Sequence, residues 1–180
     1  MKILPLPVKK NKFGERVADI SAEKYYRQIV EEVLEAHKAS IVHDIKKVMS
    51  DEGCGQCAEY VGEDNEAEEL VDIITCCITR LDIVVDSKKD FVEYVSKLLT
   101  AAKRNYTEPE DFYTDLAFTV MQGFCLSSYS FYECKILSRI IVKCVKRLES
   151  MGYDESAREK IYQAVNEKNA ARGYLEVSKP

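Results

Sequence analysis

The placement of chain breakers limits this polypeptide most. Its seven glycines and four prolines gather at a few boundaries, and the stretches between them carry helix-start and helix-stop signals around apolar residues at helical spacing. Ser21 can cap a first helix, with Ile20 and Tyr25 at hydrophobic-staple positions, and that helix runs to about Met49. Asp51 to Asp64 carries Gly53, Gly55 and Gly62 and is expected to be a loop. Asn65 opens a second helix to about Val85, with Glu68 in a capping-box position. Ser87 opens a third, reaching roughly Arg104, and Thr107-Glu108-Pro109-Glu110 opens a fourth toward Leu126. After a break at Ser127 to Ser130, a fifth helix runs to Met151 and stops at Gly152. Asp154 caps a sixth, which ends near Arg172 with Gly173 as its left-handed terminator. No stretch carries a confident strand pattern. The expectation is all-α: an antiparallel bundle of about six helices over residues 21–175, preceded by an irregular arm (1–20) and followed by a tail (176–180).

Composition narrows the class. With 46% hydrophobic and 32% charged residues, 180 residues suit a globular fold. The net charge of −5 argues against duplex nucleic acid as a partner. No apolar run reaches membrane-span length, and Met1 to Val8 lacks a signal-peptide core, so no membrane partner and cytoplasmic residence are expected. Seven cysteines, an odd number, argue against a disulfide framework.

Two helical segments carry carboxylates where apolar packing is wanted. On the first helix, Ile29, Val33 and Ala36 mark an apolar stripe flanked by Glu32 and Glu35, with Glu31 beside them. On the second, Leu70, Ile73, Ile74, Cys77 and Leu81 form an apolar arc bordered by Glu69 and Asp72. Residues three apart share a helix face, so two such faces brought together would gather four carboxylates. Uncompensated, that charge is costly near a core, and a divalent cation resolves the conflict. Magnesium prefers hard oxygen ligands and often bridges carboxylates to phosphates. The bland alternative is a pair of solvated helix flanks.

Glu31-Glu32-x-x-Glu35 followed by Glu69-x-x-Asp72 resembles the EExxE…ExxD signature of the all-α NTP pyrophosphatases, a superfamily that includes MazG-like enzymes and dimeric dUTPases. Asn166 to Tyr174, with Lys168, Asn169, Arg172 and Gly173, is similar to the ending of MazG-like members. Together the two motifs cover roughly residues 20–85 and 160–175. The resemblance implies a MazG-like four-helix core with additional helices. It also implies hydrolysis of a nucleoside triphosphate between the α and β phosphates, with Mg2+ (or Mn2+) as cofactor, a nucleotide substrate and a homodimer or higher homo-oligomer. By the same motifs, Glu32, Glu35, Glu69 and Asp72 would be metal ligands, and Glu31 a further ligand or a group orienting the attacking water. Lys168 and Arg172 would hold phosphates, Asn169 phosphate or base, and Tyr174 would stack on the base. The gap between Glu35 and Glu69 is longer than the family usually shows, and residues 88–151 carry no assignable motif. Two other readings stand beside the enzyme: a non-catalytic protein that sequesters nucleotides on the same scaffold, and a helical interaction module.

Smaller signals carry less. Cys54-Gly-Gln-Cys57 has the spacing of half a zinc site, but no partner pair follows it. Arg139, Lys143, Lys146 and Arg147 form a basic side on the fifth helix, expected to be a solvated face.

Overall fold

A computed structural model describes residues 4–11, 13–51, 65–85 and 91–175. The Cys54/Cys57 pair, Ser87 and the tail 176–180 lie outside the described residues. Among those residues the fold is all-α, with six helices: α1 (Ala22–Asp51), α2 (Glu66–Val84), α3 (Phe91–Arg104), α4 (Phe112–Cys125), α5 (Ser130–Ser150) and α6 (Glu155–Ala171). Residues 4–20 form an arm with a short 3-10 turn at Val17–Asp19 and an isolated bridge between Lys10 and Arg16.

Local chemistry accounts for most helix ends. The Lys24 amide donates to Ser21 Oγ at 3.3 Å, and the Ala157 amide to Asp154 Oδ1 at 2.8 Å. Gly152 and Gly173 take positive φ after α5 and α6, and both helices close with paired backbone bonds: Tyr153 N to the Leu148 carbonyl, Tyr174 N to the Asn169 carbonyl. Two starts differ from expectation. Helix α4 begins at Phe112 rather than near Thr107, with Asp111 accepting from the Thr114 amide at 3.1 Å and from its hydroxyl at 2.7 Å. Pro109 disfavours helical backbone in the residue before it, so the next cap along the chain takes over. Asn65 precedes α2 as expected, but its side chain does not cap; its amide donates to Glu69 Oε1 at 2.6 Å instead. A charge-assisted bond of that kind outcompetes a neutral cap.

Four helices close a ring: α1 packs on α2, α2 on α5, α5 on α4, and α4 back on α1. Neighbours in the ring run antiparallel. The start of α2 meets the end of α5 through Glu66–Arg147, while Arg80 near its end meets Glu133 at the start of α5. In the same way His37 stacks on Tyr113 while Tyr26, earlier in α1, meets Phe124, later in α4. Helix α3 lies against α5, and α6 against α2. With α1, α5 and α6 around it, α2 is the central element, which is why Leu70, Ile73, Ile74, Cys77 and Leu81 are fully buried.

The basic side expected on α5 is largely spent inside the protein. Arg147 Nε donates to Glu66 Oε1 at 2.8 Å, Lys146 pairs with Glu149 at 2.6 Å, and Lys143 pairs with Asp115. Cys76, Cys77, Cys134 and Cys144 are buried thiols, and Cys125 is an exposed one. No helix among the described residues is long and apolar enough to cross a membrane.

Candidate metal centre

Helix α1 presents Glu32 and Glu35 on the flank of its buried stripe of Ile29, Val33 and Ala36. Helix α2 presents Glu69 at its first turn, beside Leu70. The antiparallel packing of the two helices sets these turns opposite each other. One oxygen from each of Glu32, Glu35 and Glu69 lies within 4.8 Å of the others. Glu32 is buried, Glu69 half-buried and Glu35 exposed, so the group sits where the core opens to solvent.

Burial, and then the neighbouring carboxylates of Asp72 and Glu35, push the Glu69 carboxyl above its usual range, against the opposing hydrogen bond from Asn65. Every donor in the group is a carboxylate oxygen, with no nitrogen or sulfur among them. That set suits a hard divalent cation such as magnesium or manganese. Three glutamates can therefore hold a metal ion here.

The raised Glu69 carboxyl has a consequence for stability. The folded protein binds this proton more tightly than the unfolded chain, so the contribution of Glu69 is most favourable below its unfolded pKa and declines as pH rises through the raised folded value. In metal-free protein, Glu69→Gln should therefore melt above wild type at about pH 7, and the gap should close at about pH 4. Thermal unfolding in chelator at the two pH values checks this.

The other candidates are distributed around this group. Asp72 lies outside the three-glutamate cluster and faces Lys168 of α6, with Nζ 3.5 Å from its carboxylate. Burial raises the Asp72 carboxyl, opposed by the charge and hydrogen bond of Lys168 and, more weakly, by Arg172. Lys168 also stands 4.0 Å from Glu68. Asn169 is buried on the stripe of α6 shared with Tyr162 and Val165. Arg172 is exposed at the helix end. Tyr174 is half-buried, and its carbonyl accepts from the amides of Lys9 at 2.7 Å and Lys10 at 3.3 Å. Glu31 is half-buried, next to Glu32 but not part of the cluster.

Sequence reasoning missed two participants. Asn65 orients Glu69, and Glu68 shares Lys168 with Asp72. Both were visible as residues, but the capping-box pattern assigned them to the helix start. No protein-family model, curated protein or solved structure matches this chain.

Proposed function

We propose that this protein is a magnesium-dependent nucleoside triphosphate pyrophosphohydrolase, cleaving between the α and β phosphates to give a monophosphate and pyrophosphate. The observation that carries this reading is the meeting of Glu32, Glu35 and Glu69 oxygens within 4.8 Å of one another. The nearness of Lys168 to Asp72 supports it, because it sets a cation from a third helix beside the acidic residues of α2. When bound, magnesium would offset phosphate charge and acidify a water. In this reading Glu32, Glu35, Glu69 and Asp72 hold the cation, and Glu31 orients the attacking water. Lys168 and Arg172 take the phosphates, Asn169 bonds phosphate or base, and Tyr174 stacks on the base. Lys168 stands 3.5 Å from Asp72, and substrate phosphate would compete for that charge.

A screen for pyrophosphate release across nucleoside triphosphates, with and without magnesium, is the test. We expect magnesium-dependent release from at least one nucleotide. We also expect a melting-temperature rise of about 5–10 °C with magnesium and a non-hydrolysed analogue of that nucleotide near a hundred times its Kd. A shift without release would favour nucleotide sequestration, and neither signal across the panel would overturn both.

A homodimer belongs to the same reading. Neighbouring helices α1 and α4 leave large apolar side chains outside: Leu34 at 61% exposure, Phe118 at 63% and Met121 at 53%. Large apolar side chains exposed on two neighbouring helices are what an interaction surface would use. Phe118→Glu with Met121→Glu should halve the mass seen by light scattering, and a monomeric wild type would remove the dimer.

A further inference from the structure

Four helices (α2, α3, α5 and α6) and the arm line an open cavity of about 720 Å³ that shares no lining residue with the carboxylate cluster. Its volume lies within the roughly 300–1,000 Å³ of small-molecule pockets. The walls are apolar: Leu4 and Pro5 come from the arm, Val95 and Leu99 from α3, and Val142 and Val145 from α5.

One end of this cavity is charged. Glu149 on α5 pairs with Lys146 at 2.6 Å and Arg158 at 3.5 Å, and the charge of Lys103 also reaches it. A single carboxylate cannot neutralise three cations. With Arg104 at the end of α3, and Glu155 and Glu159 on α6, the lining carries four cations against three carboxylates. The wall is therefore net positive on a chain whose total is −5. Arg158 is held against the protein: its side chain is 13% exposed and its Nη1 donates to the Tyr153 carbonyl at 2.7 Å. A guanidinium has more donors than that carbonyl, Glu149 and the Tyr162 hydroxyl consume. The arm enters away from these charges, since the Leu6 amide is held by Asn166, two turns further along α6 than Arg158.

We propose that this cavity is a second binding site, for an amphiphilic anion. Its apolar chain lies between α3 and α5, and its carboxylate or phosphate head meets Lys103, Arg104 and Arg158. The apolar walls supply the affinity by excluding water from the chain, and the cations fix which end points outward.

Calorimetric titration with dodecanoate, dodecyl phosphate, dodecanol and dodecyltrimethylammonium, each below its micelle concentration, tests the proposal. One saturable site per chain is expected for an anionic probe, with dodecanol weaker and the ammonium probe weaker still. The carboxylate and phosphate arms identify the head group. Lys103→Glu with Arg104→Glu changes only exposed side chains, and Ser96→Trp fills the cavity from an exposed lining position. Each should weaken anion binding at least about tenfold with melting temperature near wild type. Glu69→Gln should bind the anion as wild type does, which separates this site from the nucleotide reading. Absence of saturable binding, equal affinity for the cationic probe, or wild-type affinity in both the charge-reversed and the cavity-filled variants would overturn the proposal.

Discussion

Glu69→Gln is expected to reduce kcat/KM for the proposed nucleotide hydrolysis by at least about a hundredfold while leaving helical content unchanged. That bound is the loss typical of disturbing groups that merely orient metal ligands, and Glu69 stands among the candidate ligands themselves. The substitution keeps shape and removes charge. The amide carbonyl of glutamine can still accept from Asn65, so the start of α2 has no reason to unravel. Relief of repulsion from Asp72 and Glu35 should leave the metal-free variant at least as stable as wild type. Loss of turnover together with a maintained or raised melting temperature is the signature of a charge kept for function rather than for folding. Wild-type rates in this variant would remove Glu69 from the chemistry.

The largest loss of stability should come from elsewhere. Arg80 Nε donates to Glu133 Oε1 at 2.9 Å, joining the end of α2 to the start of α5, with the glutamate side chain 1% exposed. Arg80→Met strands that carboxylate in the core. Breaking a buried pair from one side costs about 3–5 kcal/mol, or a fall in melting temperature of roughly 6–20 °C in a protein of this size. Arg80→Met with Glu133→Leu should recover most of that loss, because neither charge is then left unpaired. A double variant as unstable as the single one would show that packing around the arginine stem, not the charge, holds the two helices together.

The number of described helices and most of their ends were legible because they depend on neighbours in sequence. Ser21, Asp154, Gly152 and Gly173 act on backbone groups within a few residues. The α4 start was misplaced because Thr107 and Asp111 offer the same cap chemistry four residues apart, and only the second is realised. Glu32, Glu35 and Glu69 stood out because carboxylates at a helix spacing of three border apolar stripes that must meet a partner. What each acidic residue faces was not legible. Asp72 meets Lys168, and Glu66 meets both Arg147 and the Tyr113 hydroxyl at 2.6 Å. Such pairings depend on how the helices pack, and no short-range pattern encodes them. Lys143 and Arg147 of the α5 basic side misled for the same reason, since a row of cations on a helical wheel does not show that Asp115 and Glu66 lie across from it.

The arm matters more than its lack of regular structure suggests. Leu6 is tied to Asn166, Val8 to Thr79 at 2.9 Å, and Lys9 to the Tyr174 carbonyl, so one extended strap spans α2 and the far end of α6. Cutting it would loosen the outermost helix first, and with it the lysine that now sits over Asp72. The cation beside the acidic residues of α2 is thereby anchored by backbone some 160 residues upstream of it, an embrace that proteolysis of a few exposed peptide bonds would undo.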